Sequence, residues 1–123
     1  MERRRFSWKE RGNSFSYAWQ GIKGLLLTEH NSWIHLGLTL LVIPLAIYYR
    51  ITRLEWMFLI IVMAMVWAAE LFNTALEKSM DFISKENHPQ IKLVKDLAAA
   101  AVLISALAAL AVGAIIFIPR ILG

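Results

Sequence analysis

Three stretches nearly free of charge dominate this sequence: residues 32–49, 54–76 and 97–119. The third holds no Asp, Glu, Lys or Arg across 23 consecutive residues. About 20 predominantly apolar residues suffice to cross a hydrocarbon core roughly 30 Å thick. Lipid offers no water to backbone amides, so such a stretch crosses as a helix that satisfies its own hydrogen bonds. The chain has 123 residues, 59% of them apolar. A soluble domain this small has too little core to hide that composition. An ordinary soluble enzyme is thereby excluded, as is a disordered chain. The absence of cysteine removes disulfides, thiolate catalysis and cysteine-held metals together. The expectation is an all-α polytopic membrane protein in one domain, with an N-terminal amphipathic surface helix over about 12–28 and spans near 32–49, 54–76 and 97–118.

Charge distribution orients these elements. The segment MERRRFSWKER at 1–11 holds five basic and two acidic side chains, and the 78–96 linker adds Lys78, Lys85, Lys92 and Lys95. With three spans, the N-terminus and this linker share a side, which carries ten of the thirteen basic residues counting Lys23. The positive-inside rule places that side in the cytoplasm. Beside a surface helix and a span, the basic cluster suits anionic headgroups and not nucleic acid. Some thirty mixed residues precede the first apolar stretch, so no cleavable leader is expected and the chain inserts whole.

Within 12–28, Phe15, Trp19, Ile22 and Leu26 fall within about 60° of one another on a helix, opposite Asn13, Ser16, Gln20 and Lys23. That pattern suits an interfacial helix, packed on lipid, on the spans, or on both. Trp33 and Tyr48–Tyr49 bracket the first span as interfacial aromatics, and Pro44 is expected to bend it. His35, without partners at ligand spacing, reads as structural or interfacial and not as a metal ligand. Glu55 and Trp56 open the second span at the outer interface. Nine alanines with Ser105 and Gly113 make the third span a close-packing helix.

The second span carries the anomaly. After fourteen uncharged residues come Glu70, Asn73, Glu77 and Asp81. They project within about 80° of one another and cover about 16 Å of helix axis. An acid at membrane mid-depth costs on the order of 2.5–3.5 kcal/mol on insertion scales, less nearer the interface. A solvated helix end accounts for Asp81 and less well for Glu77; it does not account for Glu70. Glu29 adds an acid at the junction of surface helix and first span, where it can meet Glu77 at similar depth. Lys92 and Lys95 share a face if the third helix starts near 90, with Pro89 in its first turn. Carboxylates able to hold a divalent cation, opposed by lysines, fit bound phosphates. The glycine-rich and kinase signatures of ordinary nucleotide sites are missing, so a nucleotide site here is of another kind.

The run Glu70-Leu71-Phe72-Asn73-Thr74-Ala75-Leu76-Glu77, with Asp81 following, resembles the E-x-x-N-[ST]-A-x-E-x-x-x-D signature of the bacterial integral-membrane diacylglycerol kinase family. Lys95-Asp96 before an alanine-rich span resembles its second block, and Tyr17-x-Trp19-x-Gly21 with Glu29 its N-terminal block. The resemblance covers nearly the whole chain. It implies homotrimers of three-span protomers with composite sites between neighbours. It also implies transfer of the γ-phosphate of ATP, with Mg²⁺, to a membrane lipid alcohol. Glu70 is then the general base, Glu29 and Glu77 the Mg²⁺ carboxylates, and Lys95 the neutraliser of the nucleotide phosphates. Asn73 positions groups beside the base, and Asp81, Asp96 and Tyr17 lie on the nucleotide side. Gln20, Thr28 and Ala18 depart from the diacylglycerol-specific branch. His88-Pro89 and Asn73-Thr74-Ala75 lean toward the undecaprenol kinase branch, which favours undecaprenol over diacylglycerol as acceptor. Two rival readings are weaker. An ion-coupled transporter needs a pathway that 56–69 does not continue, and a membrane adaptor leaves Glu70 without a purpose.

Overall fold

A computed structural model describes residues 5–123. Met1 to Arg4, which carry part of the basic N-terminal cluster, lie outside the described residues. The described chain is four α-helices: α1 (Trp8–Thr28), α2 (Asn31–Tyr48), α3 (Arg53–Ile83) and α4 (Pro89–Leu122). The last three are long and apolar enough to cross a membrane. Their ends define two poles. The α1–α2 corner and the α3–α4 turn lie at the basic pole, and the α2–α3 turn and the end of α4 at the other.

Each boundary has a local cause. α1 begins earlier than the apolar periodicity indicates, because the Ser7 hydroxyl accepts from the Glu10 amide and caps the helix. α3 opens with a capping box: Thr52 Oγ1 accepts from the Glu55 amide while Glu55 Oε1 accepts from the Thr52 amide. α4 starts at Pro89, the condition under which Lys92 and Lys95 share a face, with His88 Nδ1 accepting from the Gln90 amide. It also runs through Pro119, beyond the expected end of the span, to Leu122. Pro119 has no amide to give the Ile115 carbonyl, and the Arg120 guanidinium bonds the neighbouring Ile116 carbonyl at 2.8 Å.

Both turns at the ends of α2 are tight. Arg50 takes a left-handed φ of 51°. The Ile51 amide bonds the Ala46 carbonyl and the Arg50 amide bonds the Ile47 carbonyl, which is the Schellman arrangement. Its usual apolar contact is present, since Ala46 and Ile51 are buried in one cluster with Leu59, Ile116 and Phe117. At the other corner, Ser32 is fully buried. Its hydroxyl donates to the carbonyls of Glu29, at 2.6 Å, and Leu25, at 3.3 Å. That bond fixes the bend at the position of Glu29.

α3 and α4 form the main packing pair, and α1 and α2 touch α3 more locally. The buried residues of α3 are Leu59, Val62, Val66, Glu70 and Thr74. Their spacing of three, four, four and four makes one stripe. Glu70 therefore continues the packing face of α3 and does not point to lipid. On α4, Ala98 and Ser105 are buried seven residues apart, small enough for close helix approach. At the far pole, Arg120 forks onto Glu55, with both carboxylate oxygens 2.7 Å from guanidinium nitrogens. This pair joins the first turn of α3 to the last turn of α4.

Leu59 is 3% exposed at the centre of the far-pole cluster. Leu59→Ala is expected to destabilise the protein by about 2–5 kcal/mol, read as reversible unfolding in mixed micelles. An unchanged unfolding midpoint would show that this cluster does not hold the three spans together.

Candidate active site

α3 carries the acidic stripe from the interior of the bundle toward the basic pole, and the four groups sit in different surroundings. Glu70 is 6% exposed. Its Oε1 lies 2.7 Å from Nε2 of His35 on α2. His35, read from the sequence as structural or interfacial, is thus the partner of the most costly residue in the chain. No periodicity in α2 alone signals this. One turn along α3, Asn73 is half-buried and its Nδ2 donates to Glu77 Oε1 at 3.5 Å. Asn73 Oδ1 and Thr74 Oγ1 are buried without a hydrogen-bond partner. Buried polar atoms are nearly always satisfied.

At the pole itself, Asp81 and Lys95 meet across the α3–α4 turn, Nζ to Oδ1 at 2.7 Å. Lys92 pairs instead with Asp96 along α4, at 2.6 Å. Both lysines are tied to acids of their own chain. An ammonium has three donors, so each retains capacity for another oxygen. Asp81, Lys92, Lys95 and Asp96 line one recess of about 680 Å³ together with Lys85 and His88. The hydrogen bond from Lys95 holds the Asp81 carboxyl below its ordinary range, with lesser help from the charges of Lys85 and Lys78.

The other expected residues lie outside that recess. Glu29 caps the C-terminus of α1, half-buried, its amide bonded to the Leu25 carbonyl. Tyr17 is exposed on α1. Among the described residues, no three His, Asp or Glu side chains converge as a protein-only metal cage. Glu29 and Glu77 are each half-buried carboxylates, oxygen donors of the kind that Mg²⁺ takes together with phosphate oxygens and waters.

A second hollow, of about 540 Å³, is an apolar groove between α2, α3 and α4. Val62, Val66, Ala109 and Leu110 are among its walls, and His35, Thr39 and Trp67 supply its polar groups. Trp67 Nε1 donates to Thr39 Oγ1 at 3.2 Å, and that hydroxyl donates to the His35 carbonyl at 2.8 Å. His35 thus belongs both to the groove and to the Glu70 pair.

The molecule thus combines a recess lined by lysines and acids, an acidic stripe along α3, and an apolar groove bordered by the histidine that pairs with Glu70. The family described as "Prokaryotic diacylglycerol kinase" matches residues 16–117. The chain belongs to this family. It is accordingly an enzyme, a lipid kinase embedded in a membrane. It is 32% identical over 108 residues to the undecaprenol kinase of Bacillus subtilis, covering 88% of each chain. It is 36% identical over 110 residues to the diacylglycerol kinase of Synechocystis, covering 89% of this chain and 63% of that one. Against the diacylglycerol kinase of Helicobacter pylori strain 26695 it is 38% identical over 88 residues, 72% of this chain and 69% of the relative. The matched region covers all of α2 and α3, most of α1 and α4, and every candidate site residue, since it begins just before Tyr17.

The Asp81–Lys95 tie makes a pH-dependent prediction. A carboxyl whose folded pKa is lowered contributes above its ordinary pKa, and the contribution is lost as pH falls through the lowered value. Lys95→Met should move the Asp81 midpoint upward toward the ordinary carboxyl range, followed by carboxyl ¹³C resonances. The stability change is expected to be small because both side chains are substantially solvated. A midpoint unmoved by the substitution would show that Lys95 is not what holds Asp81 ionised.

Proposed function

We propose that this lipid kinase transfers the γ-phosphate of ATP, with Mg²⁺, to the hydroxyl of undecaprenol, forming undecaprenyl phosphate. The observation that carries the reading is Glu70, a buried carboxylate paired with a residue at the edge of an apolar groove. A lipid alcohol keeps its hydrocarbon body in an apolar environment, so its hydroxyl must be met at membrane depth, and Glu70 is the acid at that depth. Similarity to a relative named undecaprenol kinase over 88% of both chains supports a polyprenol acceptor. Diacylglycerol is the second reading, supported by the names of other relatives.

The division of labour follows the stripe. Glu70 accepts the hydroxyl proton as the acceptor oxygen forms its bond to the γ-phosphorus and the bond to the ADP oxygen breaks. Asn73 sits one turn away, beside both Glu70 and Glu77, and positions the reacting groups. Glu29 and Glu77 would hold Mg²⁺ on the phosphates, which neutralises charge developing on the phosphoryl oxygens. Lys95 neutralises the nucleotide phosphates with the donors that Asp81 leaves free. Asp81, Asp96 and Tyr17 lie on the nucleotide side.

By the positive-inside rule the basic pole, and with it the nucleotide, lies on the cytoplasmic side of the bacterial inner membrane. Phe15, Trp19 and Ile22 of α1 are uncovered by protein, which suits a helix lying on lipid. Sites shared between protomers of a homotrimer would supply the groups the stripe lacks. The unmet Asn73 and Thr74 oxygens and the small-residue helix α4 support that assembly.

Purified protein supplied with labelled ATP, Mg²⁺ and either undecaprenol or a diacylglycerol should label undecaprenol with the higher kcat/KM. Label in neither lipid from intact, folded protein would sink the proposal. A preference for diacylglycerol would move the assignment to the second reading. Glu70→Gln should lower kcat by about 10²–10⁴-fold while nucleotide binding persists. Glu77→Gln should also weaken binding of Mg²⁺-nucleotide, measured by titration of a fluorescent analogue. Near-wild-type turnover in Glu70→Gln would remove Glu70 from the role of base.

A further inference from the structure

We infer that His35 is a positioning residue: its Nε2–H holds Oε1 of Glu70 and leaves the second carboxylate oxygen to take the acceptor's proton. The inference rests on Glu70 being the base, as proposed above, and concerns how that base is held.

The protein contains its own control for what a partner does to a glutamate. Glu55, at the far pole, is engaged through both oxygens by the Arg120 fork and accepts a backbone amide as well. A carboxylate so occupied is a joint, with no oxygen left for chemistry. Glu70 is more deeply buried, yet its recorded partner is a single imidazole nitrogen on a single oxygen. An imidazole nitrogen offers one N–H where a guanidinium offers a fork. The choice of histidine therefore satisfies one oxygen and spares the other.

The imidazole is itself restrained. Its ring meets the Trp67 indole edge-on, with centroids 6.3 Å apart. Trp67 is fastened to Thr39 Oγ1, which bonds the His35 carbonyl. His35, Thr39 and Trp67 all border the apolar groove. A carboxylate tethered from that side is held in register with the groove's contents. Side-chain exposure of 17% for His35 and 8% for Glu70 leaves little water to substitute for the tether. A merely structural pairing would leave the rate dependent only on whether the bundle folds, and a substitution series separates the two.

The side-chain amide of Gln places an N–H near the position of Nε2, whereas that of Asn falls nearer Nδ1. Full-length His35→Ala, His35→Asn and His35→Gln are compared with wild type in lipid–detergent micelles, with labelled ATP and both lipids. His35→Ala should lose about 10²-fold in kcat, the scale set by misplacing a reacting group by about 1 Å. KM for Mg²⁺-ATP should stay within about threefold, since the lost interaction acts on the chemical step. His35→Gln should recover to within about tenfold of wild type while His35→Asn remains near the alanine variant. In ¹⁵N-histidine spectra the His35 Nε2–H resonance should shift in Glu70→Gln. Unchanged kcat in His35→Ala, equal rates for the Gln and Asn variants, or an imidazole resonance insensitive to Glu70 would each overturn the assignment. If His35→Ala does not fold, the Gln–Asn comparison decides. Wild-type protein that labels neither lipid overturns the kinase reading itself, whereas labelled product with an unaffected His35→Ala overturns the His35 assignment alone.

Discussion

A carboxylate withdrawn from water costs several kcal/mol unless a partner and good hydrogen-bond geometry compensate it, and Glu70 lies on the packing stripe of α3 with 6% of its surface exposed. Its neighbours are arranged accordingly. α2 must bring His35 to the level of Glu70, so the corner at Glu29 to Ser32 has to be short and firm. The buried Ser32 hydroxyl, bonded to two carbonyls of the preceding turn, supplies that firmness. α2 in turn stays apart from α4 along the groove and meets it at the far pole, where Tyr49 packs on Phe117. The apolar hollow is the space left when α2 is tied at both ends and α3 packs on α4.

The two ends of α3 show how differently one residue type can be used. At its start a glutamate closes a capping box and receives an arginine fork, so three elements are joined by one side chain. Toward its other end each carboxylate is held by fewer partners than Glu55. Glu70 has an imidazole, Glu77 a weak amide contact at 3.5 Å, and Asp81 a solvated lysine. Weak commitment within the chain is what a site requires if substrates are to supply the remaining partners.

Much of this order is visible in single-helix patterns. The apolar stretches give the three long helices, the spacing of Glu70, Asn73, Glu77 and Asp81 gives the stripe, and Pro89 suits the first turn of α4. The pairs that matter most are not visible there. His35 and Glu70 are 35 residues apart and Glu55 and Arg120 are 65 apart. Such meetings depend on the axial register between helices, which turn geometry and packing set and a helical period does not encode. Thr52 with Glu55 three residues on is a partial exception, since the capping box is a local signal. The same limit explains why Lys92 and Lys95 look like a matched pair in sequence yet bind different acids. Helical spacing puts them on one face, but α3 ends where Lys95 alone reaches Asp81.

The length of the stripe constrains how the proposed reaction must be laid out. Eleven residues separate Glu70 from Asp81, about 16 Å along the helix axis, of which Glu70 to Glu77 is about 10 Å. Phosphates gripped only in the recess at Lys95 would leave the γ-phosphorus far from a hydroxyl at Glu70. On the proposed reading the nucleotide would reach inward past Asp81, so that its terminal phosphate lies between the levels of Glu77 and Glu70. Asn73 occupies that interval, half-buried, with an unmet carbonyl oxygen. In that layout Glu77 would lie on the nucleotide side of it and Glu70 on the lipid side. A carboxylate at Glu77 suited to a cation on phosphate, and one at Glu70 held through a single oxygen, is the sequence of functions that an inward-reaching triphosphate would encounter.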